Sequence, residues 1–267
     1  MPRWKEFESN CTNYLKDKYG NFAEFILQGG SDSTTPDILV KPFNKPSFFI
    51  EAKLSPAQCG QFVLFPEFTS NSFTFSAKNI SKRNTCVDSI IEHMNNNFNY
   101  YKDVTTRGID IFFKDCENIF KDWIITYYKE KNVKFLITNN FLILPIDKIA
   151  DFFEITASYR IKKSGSSSLG KHRIAAYSDI LFANELAGYP ITGARSEDKK
   201  MFVSSESDLQ GIHFSYQNCD FIFSLKNGEY EIRKLSPIQN PNVIFSIKLK
   251  KNIPELDNFD FVHYLSN

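Results

Sequence analysis

The first half of the chain shows apolar residues at helical spacing, interrupted by shorter strand-like runs. Apolar residues recur every three or four positions from Trp4 to Leu15, and Gly20 follows them, which predicts a helix over residues 3–18. The same spacing predicts further helices over 86–101, 116–131 and 146–153. Short aliphatic and aromatic runs predict strands at 22–28, 37–41, 47–53, 133–139 and 141–145. The first part is therefore predicted to be mixed α/β.

The pattern changes in two places. Residues 56–83 are aromatic and irregular, without a clear period. From about Glu154 the chain becomes basic and rich in Ser and Gly, and strand-like runs follow, separated by turns such as Lys226-Asn227-Gly228. These runs are 201–206, 212–217, 220–225, 230–235 and 242–250. We predict a core over 1–153 and a β-rich part over 154–267, without a linker long enough to prove that they are separate domains.

Composition limits the class of protein. The 267 residues are 42% hydrophobic and 24% charged, as in ordinary globular proteins, and 27 Phe predict an aromatic core. No apolar run is long enough to span a bilayer, and the start carries no signal-peptide pattern. Five scattered cysteines without C-x-x-C spacing argue against a disulfide framework and against zinc. We therefore expect a cytoplasmic protein.

Charge and histidine placement exclude some kinds of site. The net charge is only +1, so binding to nucleic acid would depend on locally concentrated basic residues. The four histidines (His93, His172, His213 and His263) are dispersed without ligand spacing, which argues against a histidine metal site. No Gly-rich phosphate loop appears, so a built-in ATPase is not expected.

The strongest chemical signal lies in the predicted hairpin over residues 37–53. Side chains alternate faces along a strand, so Glu51 and Lys53 share one face of the second strand. Folding the hairpin about 43–46 brings Asp37 close to Glu51 and Ala52. Two carboxylates and an ammonium gathered at one end of a hairpin are costly unless they bind something.

A hard cation would relieve that cost. The carboxylates of Asp37 and Glu51, with the backbone carbonyl of Ala52, offer the oxygen ligands that Mg²⁺ accepts. A cation there would neutralise charge on a phosphodiester, and Lys53 would orient the attacking water, help to deprotonate it and stabilise charge. The sequence predicts a magnesium-dependent site made of Asp37, Glu51 and Lys53.

Pro36-Asp37 followed by Glu51-Ala52-Lys53 resembles the motif of the PD-(D/E)XK nuclease superfamily. Its core of helix, strand, motif-bearing hairpin, helix and strand matches the element order predicted over roughly the first half to 60% of the chain. The resemblance implies a restriction-endonuclease-like fold, a mixed β-sheet flanked by helices, with a β-rich C-terminal part. Chain length and the β-rich part look most like a type II restriction endonuclease.

That resemblance implies a cofactor and partners. We expect one or two Mg²⁺ ions per site, double-stranded DNA as substrate, a homodimer matching a palindromic site, and a cognate DNA methyltransferase as functional partner. Two alternatives remain open at this point. One is a structure-selective nuclease, such as a junction resolvase or repair enzyme, and the other is an inactive DNA-binding module with the same fold.

Further site residues are hypotheses, each with a structural alternative. In some superfamily members a first-helix glutamate assists the metal; Glu8 is preferred here over Glu6, the alternative being a solvated helix face. Asp32 could approach the metal or simply form a turn. Gln58 and Gln61 could contact DNA or follow a capped helix start after Pro56.

A basic run between Tyr159 and Tyr177 lacks acidic residues and is a candidate DNA-contacting element. Its alternative is a flexible solvated loop. The candidate residues are Arg160, Lys162, Lys163, Lys171, His172 and Arg173.

Overall fold

The structure of the protein is a computed structural model. It describes residues 3–28, 35–163, 165–170, 188–198, 200–237, 239–251 and 259–266. The chain divides into two units, Met1–Ile161 with Pro241–Asn267, and Lys162–Asn240. The helices in the described residues are α1 Arg3–Tyr19, α2 Thr85–Asn96, α3 Phe98–Tyr101, α4 Cys116–Glu130, α5 Ile149–Phe152 and α6 Phe259–Ser266. The described helices include none that is long and apolar enough to cross a membrane.

The strands follow the predicted mixture of α and β structure, and the α/β fold class is confirmed. In the first unit they are β1 Ala23–Leu27, β2 Ile38–Pro42, β3 Phe48–Ala52, β4 Ala57–Glu67, β5 Ser72–Phe75, β6 Ile109–Asp110, β7 Val133–Thr138, β8 Leu142–Pro145 and most of β9 Phe153–Lys163 and β16 Gln239–Leu249. The second unit contains β10 Ser166–Ser168, β11 Ile191–Glu197, β12 Lys200–Ser205, β13 His213–Tyr216, β14 Cys219–Lys226 and β15 Glu229–Leu235.

One sheet of the first unit carries the motif hairpin. Its strand order is β1-β2-β3-β7-β8, antiparallel except for the parallel pair β3 and β7. Apolar side chains of β1, β2 and β3 pack with α1 and α6 on one face, as in the contact of Leu15 and Phe261 with the cluster around Ile50. Leu136 of β7 belongs instead to the core that contains α4. The sheet is thus buried on both faces, and its strand ends are positioned by packing from both sides.

A second sheet in this unit has the order β5-β4-β16-β9-β6. The expectation that 56–83 is irregular was wrong there, because β4 and β5 form a hairpin and β4 also pairs with the distant β16. Gly60 on β4 has φ +137°, and a Cβ at that position would lie 2.7 Å from the Trp123 ring of α4. The glycine therefore lets the strand approach the helix closely. It also interrupts the alternation of apolar and polar residues by which a strand is predicted from sequence.

Two predicted elements differ from the structure in detail. The helix predicted over 86–101 is interrupted at Asn97, whose non-helical φ of −121° and ψ of 34° separate α2 from α3. The region from Glu154, where the sequence becomes basic and rich in Ser and Gly, starts as the strand β9. Ile155, Ala157 and Tyr159 are buried on one face of it.

The second unit is β-rich, as predicted. Its strand order is β11-β12-β15-β14-β13, and β10 also pairs with β15. Val203, Phe221, Phe223 and Ile232 are fully buried in its own core.

The division of the chain differs from the expected boundary after residue 153. The first unit extends to Ile161, and it also includes the C-terminal segment from Pro241 onwards. The physical reason is that β16 pairs with β4, while Phe261 of α6 packs against Tyr19 and Phe135. The C-terminal residues therefore complete the first unit.

Candidate active site

The hairpin register places Asp37 beside the end of β3. Ile38 pairs with Ile50 in the β2–β3 ladder, so the preceding residue falls opposite the Glu51–Ala52 pair. The backbone N–H of Ala52 donates a hydrogen bond of 2.9 Å to Oδ2 of Asp37. Asp37, Glu51 and Ala52 therefore meet at one end of the hairpin, where the predicted register puts them.

Glu51 and Lys53 form an ion pair. Lys53 Nζ lies 2.7 Å from Glu51 Oε1, and the two side chains are 18% and 13% exposed, respectively. The hydroxyl of Tyr128, from α4, donates to the same Glu51 oxygen over 3.4 Å, and the Cys59 thiol lies 3.5 Å from that hydroxyl. The carboxylate is held from two sides, yet both charged groups keep a path to solvent.

The electrostatics show an excess of negative charge. Burial, reinforced by the charge of Glu51, raises the pKa of Asp37 to about 7, although Lys53 opposes the rise. Burial alone would lower the pKa of Lys53, but Glu51 and Asp37 outweigh it and hold that pKa above its ordinary value. Lys53 is therefore a stable ammonium, and one cation does not neutralise the carboxylates around it.

Glu8 lies at this site, on α1. Its side chain is buried, whereas that of Glu6 is exposed. A side-chain hydrogen bond joins its carboxyl group to Asp37, and burial raises its pKa against the opposing effect of Lys53. The alternative of a solvated helix face does not describe Glu8. The sequence did contain the signal, because Glu8, Cys11 and Leu15 recur at i, i+3 and i+7 on the buried face of the helix.

The segment after β3 is held by residues that the sequence analysis missed. The Lys53 N–H donates to the carbonyl of Ile137 over 2.9 Å. The buried Thr138 hydroxyl donates to the Lys53 carbonyl over 2.6 Å, and Asn139 Oδ1 accepts the Ser55 N–H over 2.8 Å. These residues are 84 or 85 positions from their partners, so no local pattern could have indicated the contacts.

The donor set suits a hard divalent cation. Within the described residues, no three His, Cys, Asp or Glu side chains form a ready metal-binding group. The candidate set is instead the carboxylates of Asp37 and Glu51 with the Ala52 carbonyl, all oxygen donors. Burial raises the pKa of Asp37, and a cation beside these oxygen atoms would favour the charged carboxylate, so the chemistry of the donor set fits such an ion.

Gln58 and Gln61 both lie on β4, at exposed positions. The alternative expectation, a helix start after Pro56, was wrong, because that chain is a strand paired with β16. The structure therefore leaves both side chains accessible from solvent.

The basic run is only partly described. Arg160 and Lys162 lie on the same face of β9, and Lys163 ends that strand. Tyr159, expected to bracket the run, is a core residue whose hydroxyl donates to the Leu64 carbonyl over 2.9 Å. Lys171, His172, Arg173, Tyr177 and Asp32 lie outside the described residues.

Comparison with known proteins connects the whole chain to one family. No protein-family model and no curated protein matches it. A solved structure of HhaI endonuclease in complex with DNA is 38% identical; the match covers 99% of this chain and 100% of that chain, with a TM-score of 0.87. The match therefore spans both units of the chain. The chain therefore belongs to the type II restriction endonucleases, the family of HhaI endonuclease.

Proposed function

We propose that this enzyme hydrolyses phosphodiester bonds of double-stranded DNA at a specific sequence, using a PD-(D/E)XK site made of Asp37, Glu51 and Lys53. The observation that carries the proposal is the convergence of these side chains at the end of the β2–β3 hairpin. It is supported by the similarity to HhaI endonuclease, which was solved in complex with DNA. The same similarity favours restriction over a structure-selective nuclease, and the intact motif argues against an inactive module.

Asp37, Glu51 and the Ala52 carbonyl would hold a divalent cation, for which we propose Mg²⁺, one or two per site. Bound there, the ion would supply positive charge that stabilises the reacting phosphate. Glu8 would add to the negative potential that retains it, since its carboxyl group contacts Asp37.

Lys53 acts on the phosphate and the water. Its ammonium, held by Glu51, donates hydrogen bonds to a phosphate oxygen and orients the attacking water. The water oxygen bonds to phosphorus, the bond from phosphorus to the leaving sugar oxygen breaks, and that oxygen takes up a proton as the water loses one. The raised pKa of Lys53 favours the charged form, so charge stabilisation and water orientation are its main roles.

The second unit and the end of β9 are the proposed recognition part. The second unit is a β-rich body with its own core, and the basic residues Arg160, Lys162 and Lys163 lie on the strand that connects to it. Lys171, His172 and Arg173 continue the same basic sequence, and Gln58 and Gln61 are further candidate contacts to the DNA backbone.

Assembly and biological pairing complete the proposal. A homodimer would match the two-fold symmetry of a palindromic site and cut both strands. A cognate DNA methyltransferase would be the functional partner, because an enzyme that cuts a short sequence needs the same sequence protected in its own cell.

Digestion of sequenced plasmid and phage DNA with Mg²⁺, followed by sequencing of the fragment ends, tests the proposed function. Discrete bands whose ends share one short sequence are expected from the wild-type protein, and none from Lys53→Ala. Cleavage confined to branched DNA, or fragments with unrelated ends, would overturn the assignment as a site-specific restriction enzyme.

A further inference from the structure

We propose that Thr138 is a positioning residue for cleavage, because its hydroxyl holds the Lys53 carbonyl, which is attached directly to the Cα that carries the Lys53 side chain. The inference rests on the proposed function, in which Ala52 and Lys53 belong to the catalytic site. Thr138 itself touches neither DNA nor a reacting atom, and it acts through the backbone of Lys53.

The β3–β7 ladder ends at this point. Ala52 pairs with Ile137, and the Lys53 N–H still reaches the Ile137 carbonyl over 2.9 Å. The next contact is made by a side chain, since the Thr138 hydroxyl donates to the Lys53 carbonyl over 2.6 Å. The hydroxyl thus extends the ladder by one bond beyond the last residue of β3.

The position of Thr138 makes this contact rigid. Thr138 is 0% exposed, and its χ1 rotation is restricted by the branched Cβ. Its hydroxyl oxygen also lies 3.2 Å from Asn139 Oδ1, which accepts the Ser55 N–H. The chain is therefore held at two successive points just beyond the catalytic lysine.

Loss of the hydroxyl would leave the Lys53 carbonyl without this donor. The Lys53–Leu54 peptide could then rotate, which shifts the Lys53 Cα and with it the origin of the side chain and the adjoining Ala52 carbonyl. Displacements near 1 Å at catalytic groups can cost about a hundredfold in rate. A merely structural threonine would instead lower stability and leave turnover unchanged.

The test compares Thr138→Val and Thr138→Ser with the wild-type protein on a DNA fragment that the enzyme cuts. For Thr138→Val we expect kcat to fall by about tenfold or more, a higher Mg²⁺ requirement, and affinity for DNA in Ca²⁺ within about twofold. Thr138→Ser keeps the hydroxyl and should retain at least about half of the wild-type kcat.

Tyr159→Phe is the matched control. It also removes a buried hydroxyl that donates to a backbone carbonyl, that of Leu64 over 2.9 Å, but away from the motif. We expect it to keep kcat and Mg²⁺ dependence close to wild type while losing stability. Equal kcat losses in Tyr159→Phe and Thr138→Val, or inactive Thr138→Ser, would overturn the proposal.

Two further variants keep the result interpretable. If Thr138→Val does not fold, Asn139→Ala removes the neighbouring acceptor at a partly exposed position and should lower kcat by about threefold or more, with DNA affinity unchanged. Wild-type turnover in the folded variants would contradict the positioning role. Lys53→Ala distinguishes failure of the proposed catalytic site from failure of the role of Thr138. Full activity of Lys53→Ala would reject both. An inactive Lys53→Ala together with a fully active Thr138→Val would reject only the role of Thr138.

Discussion

The backbone N–H of Ala52 donates a 2.9 Å hydrogen bond to Oδ2 of Asp37, which links the Pro36-Asp37 part of the motif to the middle residue of Glu51-Ala52-Lys53. The contact joins residues from two strands of one hairpin, so it depends on the register Ile38 to Ile50. A slip of one residue would move Glu51 to the opposite face. The geometry of the site is therefore set by strand pairing as well as by residue identity.

Lys53→Ala should reduce cleavage by at least about a thousandfold, because the ammonium stabilises charge that develops in the reaction. DNA binding measured in Ca²⁺ should stay within about tenfold of wild type. Asp37→Asn and Glu51→Gln should also abolish cleavage. Turnover of Lys53→Ala near the wild-type rate in a single-turnover assay would show that the site is elsewhere.

Glu8→Gln should raise the Mg²⁺ concentration needed for half-maximal cleavage by about threefold to tenfold, since one nearby negative charge is lost. Glu6→Gln is the matched control, with the same change on the exposed face of α1. Cleavage rates measured across a Mg²⁺ titration distinguish the two. Identical titration curves for the two variants would place Glu8 outside the metal site.

Asp37→Asn should stabilise the metal-free protein at neutral and higher pH. The folded-state pKa of Asp37 is about 7 against an ordinary 3.8, so the folded state binds the proton more tightly. The stability contributed by this group is therefore greatest below about pH 4 and is lost as pH rises towards 7. The Asn variant, which keeps an acceptor for Ala52, avoids that loss.

Urea unfolding in EDTA at several pH values measures this difference. We expect the variant to exceed wild type by about 1–2 kcal/mol at pH 8 and to match it near pH 4. Carboxyl groups remote from Asp37 titrate alike in both proteins, so their effects cancel, and the difference reports Asp37 together with its neighbours Glu8 and Glu51. A difference that does not change with pH would contradict the burial of charge at Asp37.

Gly60→Ala should lower the free energy of unfolding by about 2–4 kcal/mol, since it combines a strained positive φ with overpacking against Trp123. The Trp123 ring has little room to move, because it stacks 4.1 Å from Phe245. Gly193→Ala, where the nearest atom would be 4.0 Å away, should change stability by less than about 0.5 kcal/mol. Denaturation followed by circular dichroism compares them, and equal stabilities would reject the close packing of β4 on α4.

Lys162→Gln should weaken binding to cognate and scrambled duplexes alike and reduce the salt dependence of affinity by about one unit of slope, if it contacts one phosphate. Lys18→Gln, an exposed lysine at the end of α1, gives the same change of net charge and should leave the slope unaltered. Loss of affinity for the cognate duplex alone would instead indicate base contact. Equal slopes in both variants would remove Lys162 from the DNA interface.

Local signals predicted most of the motif hairpin and several neighbouring elements. β2 and β3 alternate faces with period two and are joined by a short turn, so their pairing could be inferred without knowledge of the rest of the fold. The helix α4 was predicted almost to its ends, as 116–131 against Cys116–Glu130. In each case the information lies within about twenty neighbouring residues.

Long-range pairing explains what could not be predicted. β4 contains polar Gln58 and Gln61 and the unusual Gly60, and its strand structure depends on pairing with β16, whose residues lie 179 to 190 positions further along the chain. The support given to Lys53 by Thr138 likewise depends on parallel pairing of β3 with β7. Neither contact leaves a period in the sequence, because side-chain type alone does not identify a distant partner.

The second unit is one continuous segment of the chain, inserted between β9 and β16, which are neighbours in the same sheet. Its two points of attachment are therefore backbone positions on adjacent strands, and the motif residues lie outside the inserted segment. Residues 162–240 could be exchanged for a related cassette without interrupting the chain from Asp37 to Thr138. This arrangement would let the inserted surface diverge quickly among relatives while the hydrolytic chemistry is inherited unchanged.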